Sequence, residues 1–249
     1  MGISFDRLVT CRMPLSRALS CHLHTSPSLP GWCRQACLSL VLVLVVVAGA
    51  AAAWALQFDR GAVAQYTRDK YGADSAARLR QWFALLDAAG GMPDLRAKLP
   101  AVNDFWNRSV REGTDRAIWG QEDYWATPLE TLARGMADCE DFVIGKYFSL
   151  VHLGVPPDRL RLIYVRAQVD GKSIAHMVLG YYSSPEADPL ILDNLRDSIL
   201  PAGQRRDLTP VFSFNADGVY VAGAARGPVD RISRWRGLML RMRQEGFLP

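Results

Sequence analysis

The sequence predicts an α+β fold in which a helical N-terminal part precedes an antiparallel sheet. Two observations support this prediction. Apolar residues recur at helical spacing through residues 58–134 and again from 139 to 153, where a glycine and two prolines follow. From residue 160 onward apolar and polar residues alternate instead, and Asp170-Gly171 separates two such runs as a hairpin turn would. The pattern therefore indicates one buried helix followed by a sheet.

An uncharged apolar stretch, residues 36–56, precedes the predicted fold and is long enough to cross a bilayer. Four arginines lie before it, which is the positive flank that stays in the cytoplasm. Small residues from Ala48 to Ala55 offer cleavage sites, so we favour a cleaved signal peptide over an uncleaved membrane anchor. In both cases residues 57–249 are exported. A cleaved leader would contact the membrane only transiently, whereas an uncleaved one would anchor the protein to the inner membrane.

Of the five cysteines, only Cys139 falls in the predicted folded part. Two of the others could form a metal cluster with nearby histidines, but their spacing is irregular and they run into the apolar stretch. An upstream leader is the better interpretation. The residues concerned are Cys33, Cys37, His22 and His24.

The first half of the folded part, about residues 57–134, is predicted to be a helical lobe. One run carries Leu79, Trp82 and Leu86, and Gly90-Gly91 ends it. A second amphipathic run follows, and residues 119–127 lack periodicity and are predicted to form an ordered loop. The remainder, about 135–249, is predicted to hold the buried helix and the sheet.

The buried helix begins at Cys139. Asp138 can cap it, and Glu140 and Asp141 lie in its first turn, where the helix dipole favours negative charge. A cysteine at a helix N-terminus has its thiolate stabilised by unpaired N–H groups and is therefore a better nucleophile.

After this helix the sequence predicts three strands, at residues 160–165, 174–182 and 189–193, and then a strand-rich section. The chain ends in a basic amphipathic helix. Its apolar side holds Ile232, Trp235, Leu238 and Met242.

Composition argues against nucleic-acid binding. The formal net charge is only +4, and the sequence has neither a phosphate-binding loop nor a dinucleotide-binding glycine motif. We therefore predict no nucleic-acid partner.

Three residues could form a nucleophilic triad. Cys139, His176 and Asp193 occur in the order nucleophile, base and orienting carboxylate, on a helix tip and two strands. His152 lies about 20 Å away, at the far end of the helix, and cannot serve as the base. From the residues alone, a structural cysteine and a core histidine remain an equal alternative.

Four segments decide between these alternatives: 135–142 (GMADCEDF), 153–156 (LGVP), 176–179 (HMVL) and 190–195 (LILDNL). Together they resemble the bacterial transglutaminase-like cysteine peptidases, over approximately residues 100–222. Met136-Ala137 is a departure, because a glycine-containing turn is expected there.

The resemblance implies a papain/transglutaminase-like fold, with the catalytic helix packed on the antiparallel sheet. It assigns the nucleophile to Cys139, the general base to His176 and the orienting carboxylate to Asp193. It also implies a Ca²⁺ beside the nucleophile, for which Asp138, Glu140 and Asp141 are the expected ligands. Calcium prefers carboxylate oxygens and would neutralise charges that otherwise suppress the thiolate.

The resemblance further implies a periplasmic cysteine endopeptidase that cuts a large surface adhesin near its N-terminus and so controls biofilm attachment. An inner-membrane receptor for cyclic di-GMP would inhibit it. Two alternatives stay open: acyl transfer to an amine instead of water, and a catalytically silent module that binds a protein in the cleft.

Overall fold

The computed structural model describes residues 57–73, 75–221, 227–229 and 232–248. The predicted leader, residues 1–56, lies outside these ranges. Among the residues described, no helix is both long and apolar enough to cross a membrane.

Helices make up most of the N-terminal lobe. The bounds of its five helices are α1 Arg60–Tyr71, α2 Ser75–Gly90, α3 Lys98–Ser109, α4 Asp115–Trp119 and α5 Pro128–Arg134. No helix or strand covers residues 120–127, so the predicted loop is confirmed there. A capping box, in which the side chains of Thr127 and Glu130 each bind the other residue's backbone N–H, fixes the start of α5.

The predicted buried helix is α6, Cys139–His152. It contacts α3 and α5 of the helical lobe as well as strands β4 (Leu160–Val169) and β5 (Lys172–Tyr181) of the sheet. The indole N–H groups of Trp82 and Trp106 both donate to the hydroxyl of Ser149, at 2.8 and 3.0 Å. These bonds tie α2 and α3 to the helix that carries the cysteine.

The main sheet has six strands in the order β7-β6-β5-β4-β8-β9. The remaining strands of this sheet are β6 Leu190–Leu192, β7 Leu200–Pro201, β8 Leu208–Asn215 and β9 Gly218–Tyr220, and every pairing is antiparallel. Asp170 and Gly171, with φ of 49° and 75°, form the turn between β4 and β5. The predicted hairpin is confirmed.

Two short strand pairs lie outside this sheet, and one interrupts the segment predicted to be helical. β2 (Arg111–Glu112) pairs in parallel with β3 (Met136–Ala137). Gly135 ends α5 with a φ of 67°, so the left-handed turn lies one residue before Met136. A glycine turn thus precedes the Met136-Ala137 pair, and the pair itself forms the strand β3.

The last helix, α7 (Ser233–Gln244), packs Trp235, Leu238 and Met242 into the core as predicted. Strand β10 (Phe247–Leu248) then pairs with β1 (Gln57–Phe58). A helical lobe, a central cysteine-bearing helix and an antiparallel sheet confirm the predicted α+β class.

Candidate active site

Cys139 is the first residue of α6, where the helix leaves backbone N–H groups without intrahelical partners. Asp138 caps the helix, because its carboxylate accepts the N–H of Asp141 at 3.4 Å. The residues from Asp141 to Val151 are all buried, so the apolar sequence of α6 anchors the helix and fixes the position of the thiol.

Two groups contact the sulfur of Cys139. Oε2 of Glu140 lies 2.8 Å from Sγ, and the backbone N–H of Met177 on β5 donates to the sulfur. Burial raises the pKa of the thiol well above its ordinary value, and the carboxylates of Glu140 and Asp138 raise it further. The acids around Cys139 therefore favour the protonated thiol as long as nothing neutralises them.

His176 precedes Met177 on β5 and is itself buried. Its Nε2 lies 2.8 Å from Oδ1 of Asp193, which directly follows β6. In the neutral ring Nε2 then carries the hydrogen, because a carboxylate only accepts. Nδ1 is left as the ring nitrogen that can accept a proton.

Asp193 is only 1% exposed, and donors surround its carboxylate. Besides His176, the N–H of Leu195 donates to Oδ1 at 3.0 Å and Nη2 of Arg205 to Oδ2 at 2.7 Å. Burial alone would raise the pKa of Asp193, but the hydrogen bonds and charges of His176 and Arg205 outweigh it and lower the pKa to about 2. The carboxylate is ionised throughout the physiological range.

The chain segment after β6 is held from the helical lobe. Nδ2 of Asn107 on α3 donates to the carbonyl of Asp193 and to Oδ1 of Asp197, both at 2.9 Å. Asn103, one turn earlier, donates to the carbonyl of Asp197 at 3.1 Å. The backbone that presents Asp193 is thus fixed by two amide side chains.

Three carboxylates form a second group near Cys139: Asp115 at the start of α4, Asp138 and Asp141. Their oxygens lie within 4.8 Å of one another. Burial and the neighbouring acids raise the pKa of Asp138 to about 10, and the pKa values of Asp115 and Asp141 are raised by the same causes. Oδ1 of Asp115 and Oδ2 of Asp141 are buried without a hydrogen-bond partner.

The donor set of this acid cluster fits a hard divalent cation. It offers carboxylate oxygens, two of them unpaired, and the described residues place no cationic side chain in hydrogen-bond contact with Asp138 or Asp141. Oxygen ligands with several negative charges suit Ca²⁺ better than a thiophilic metal such as Zn²⁺.

Comparison with known proteins gives matches to one protein family and to solved structures. Residues 87–206 match the family described as bacterial transglutaminase-like cysteine proteinase. Among solved structures, the chain is similar to Legionella pneumophila LapG treated with EGTA, at 38% identity, over 76% of this chain and 100% of that one, with a TM-score of 0.66. The calcium-bound form of the same Legionella protein matches at 40% identity over 72% and 97%, with a TM-score of 0.62. No curated protein matches.

The chain belongs to the bacterial transglutaminase-like cysteine proteinases. The family match over 120 residues, 87–206, contains all three predicted triad positions. The alignment with LapG, at 38% identity, covers 100% of that chain. The predicted family is confirmed, and this protein is a cysteine protease of the transglutaminase-like fold. The triad roles of Cys139, His176 and Asp193 stay a prediction, to which the geometry above adds the His176–Asp193 bond.

The structure brings together only part of the predicted calcium ligand set. Asp138 and Asp141 belong to the acid cluster, whereas the carboxylate of Glu140 lies against the thiol of Cys139. Asp115 takes the third place. No local sequence signal marks it, because it is brought to the site by the parallel pairing of β2 with β3. The bond from Gly113 N–H to the Ala137 carbonyl, 2.8 Å, continues this pairing.

Sequence reasoning also missed two buried cations near Asp193. Arg205 follows a 3₁₀ turn after β7, outside any motif of the sequence analysis. Lys146 lies on α6, two turns after Cys139, and is fully buried. Burial lowers the pKa of Lys146 to about 7, although the charges of Asp193 and Asp197 oppose this shift. The sequence shows Lys146 only as a lysine within an apolar helix. Such a lysine is equally compatible with an exposed position, so its burial could not be predicted.

Proposed function

We propose that this protein is a calcium-dependent, periplasmic cysteine endopeptidase with Cys139 as nucleophile, His176 as general base and Asp193 as orienting carboxylate. The acid cluster beside Cys139 carries the proposal. It puts three neighbouring acidic side chains, two buried and one partly buried, at the N-terminus of the helix that bears the nucleophile, and membership of a cysteine protease family supplies the chemistry.

In the proposed mechanism Cys139 attacks the scissile carbonyl carbon while its proton passes to Nδ1 of His176. The resulting imidazolium is held by the Asp193 carboxylate and returns the proton to the leaving amine, so that a thioester remains on Cys139. His176 then takes a proton from water, the hydroxide attacks the thioester, and the carboxylic acid product leaves with the thiol restored.

Several features of the chain support this division of roles. Asp193 stays ionised because its pKa is lowered to about 2, so it can stabilise an imidazolium at any working pH. Backbone N–H groups at the start of α6 lie next to the sulfur and can stabilise both the thiolate and an oxyanion.

Calcium would be held by Asp115, Asp138 and Asp141 in this proposal. The bound ion would supply positive charge that neutralises these acids and so lowers the cost of forming the thiolate. The calcium-bound structure of the similar Legionella protein supports the choice of metal.

The substrate and partners are proposed on the family resemblance. The substrate is a large surface adhesin cut near its N-terminus, which releases the adhesin and disperses a biofilm. The inhibitor is an inner-membrane receptor that responds to cyclic di-GMP. The apolar stretch at 36–56 with its arginine flank supports export to the periplasm, where both would be met.

The test is cleavage of a purified adhesin N-terminal fragment by the protein in calcium, in excess chelator, and with Cys139→Ala. We expect cleavage only in calcium and only with Cys139 present. A labelled amine is added in parallel. Its incorporation at the cut would indicate acyl transfer instead of hydrolysis, and no cleavage together with an unreactive thiol would point to a binding module.

A further inference from the structure

Arg205 is tied to the proposed triad by a short, fully buried ion pair. Its Nη2 lies 2.7 Å from Oδ2 of Asp193, and the two side chains are 2% and 0% exposed. The other carboxylate oxygen, Oδ1, is taken by His176 and by the N–H of Leu195. Asp193 can therefore bind the imidazole only through Oδ1, in one orientation, as long as Arg205 holds Oδ2.

The guanidinium of Arg205 is itself oriented. Its Nε lies 3.0 Å from Oδ1 of Asp207, and its Nη2 lies 2.7 Å from Oδ2 of the same carboxylate. Such fork-shaped pairing fixes the plane of a guanidinium, which a lysine at this place could not reproduce. Asp207 is partly exposed, so the chain of contacts runs from the buried imidazole through Asp193 and Arg205 to the surface.

We propose that Arg205 is a positioning residue for the protease reaction, which fixes the orientation of the Asp193 carboxylate towards His176. Arg205 does not touch the thiol or the substrate in this role, and it acts only through Asp193. The proposal rests on the proposed roles of Asp193 and His176, and it goes beyond them by assigning a fourth, distant residue to the same machinery.

The charged groups around Asp193 come from several elements. His176 faces it from β5, Arg205 from the turn after β7, and Lys146 from α6, while Asp197 and Asp207 bring the neighbouring negative charges. Among the residues that the structure describes, Nζ of Lys146 has no hydrogen-bond partner, whereas Arg205 binds Asp193 and Asp207. Lys146 therefore provides a matched control, because it is a buried basic side chain near Asp193 that does not hydrogen-bond to the carboxylate.

The experiment compares the full chain with its Arg205→Met, Arg205→Lys and Lys146→Met variants in saturating calcium. In Arg205→Met we expect kcat to fall about 10²-fold with KM unchanged, because only the alignment of Asp193 and His176 is lost. The part of the acid limb that protonation of Asp193 causes moves up by about 1 to 3 pH units, because the carboxylate loses an adjacent positive charge. Arg205→Lys restores part of kcat, and Lys146→Met changes kcat much less than Arg205→Met.

Alkylation of Cys139 by iodoacetamide is followed over the same pH range. If the unchanged chain cuts no adhesin fragment, the proposed substrate fails, but the alkylation rates still test Arg205. Slow alkylation in Arg205→Met and near-normal rates in Lys146→Met support the proposal. A folded Arg205→Met chain with unchanged kcat, alkylation rate and acid limb overturns it.

A variant that does not fold is detected by its thermal unfolding transition. In that case the variants Arg205→Lys and Asp207→Asn are tested by the same measurements. Both keep a positive charge at position 205 but weaken the paired contact between residues 205 and 207. Lowered kcat at unchanged KM in both supports the positioning role. Full kcat and an unshifted acid limb in both overturn it.

Discussion

The buried carboxylate of Asp193, with its donors, forms one group and the acid cluster forms a second, and the charges of the two groups are balanced in opposite ways. Asp193 has three donors, two of them able to carry positive charge, and its pKa is lowered to about 2. The carboxylates of Asp115, Asp138 and Asp141 face one another, and the pKa of Asp138 is raised to about 10. The protein supplies the counter-charge for the first group from its own side chains.

Among the described residues, no side chain supplies such a positive charge to the acid cluster. Its net charge therefore depends on whether protons or a cation are bound. Burying like charges is costly unless they are protonated or paired with a cation. If the proposed roles hold, the orienting carboxylate of Asp193 is permanently ionised, whereas the reactivity of the Cys139 thiol depends on the charge of the neighbouring acids. Calcium would then act as a switch on Cys139 and leave the His176–Asp193 pair unchanged.

The largest effect on activity is expected when the charge of Asp193 is removed. Asp193→Asn should lower kcat by roughly 10³–10⁴-fold, because an amide can donate to Nε2 and so place the ring hydrogen on Nδ1. Cleavage rates in saturating calcium measure this. Activity within tenfold of the unchanged chain would contradict the role of Asp193, provided that the variant unfolds at a similar temperature.

Asp115→Asn tests whether the acid cluster binds calcium and whether Asp115, which the sequence did not reveal, is one of the ligands. The calcium concentration for half-maximal activity should rise at least about tenfold, while kcat at saturating calcium changes little. Glu112→Gln, an exposed acid on β2, is the matched control and should leave the calcium requirement unchanged. Equal calcium requirements for the two variants would remove Asp115 from the site.

The pH dependence of stability distinguishes the two groups directly. Asp138 has a folded pKa of about 10 against an ordinary value of 3.8, so between these values the folded state holds a proton that the unfolded state has released. Its contribution to the free energy of unfolding therefore decreases as pH rises from about 4. Asp193, with its lowered pKa, contributes stability that is lost only in strong acid.

We therefore expect the Tm increase caused by calcium to grow between pH 5 and pH 8, because calcium and protons compete for the acid cluster. Thermal unfolding in calcium and in chelator at four pH values measures this increase. Asp138→Asn should weaken the trend. A calcium effect that is independent of pH would show that the cluster is ionised before the metal binds.

The smallest effect is expected at Glu245, a buried carboxylate outside both groups. It accepts a hydrogen bond from the hydroxyl of Thr127 at 2.8 Å. Burial raises its pKa to about 8, so it is mostly neutral at pH 7. Glu245→Gln keeps the shape and an acceptor, and should change the free energy of unfolding at pH 7 by less than about 1 kcal/mol. Chemical denaturation tests this, and a larger loss would mean that Glu245 is charged in the folded protein.

The predictable part of this molecule is what neighbouring residues encode. The cap at Asp138, the helix from Cys139 and the turn at Asp170-Gly171 depend on local hydrogen bonds and local periodicity, and all three were predicted. The strand that carries His176 follows from the same alternation. The ordered triad could therefore be proposed from the sequence.

Asp115 and Arg205 could not be predicted in this way, because their contacts join segments distant in the sequence. Asp115 reaches Asp138 through the two-residue pairing of β2 with β3, which is too short to leave an alternating pattern. Arg205 reaches Asp193 because β6 and β7 pair and the chain then turns back. Both residues also carry charge, which in a sequence indicates a surface position.

The pairing of β1 with β10 joins residues 57–58 to residues 247–248, so the two ends of the described fold are neighbours. The ring of Phe58 packs on that of Phe247, which is fully buried. The ring of Phe58 also stacks on those of Trp82 and Phe83 of α2, so residues 247–248 close an aromatic cluster that the helical lobe has already begun. A bulky insertion between α7 and β10 would press on this closure, whereas the same insertion in the β4–β5 turn would not.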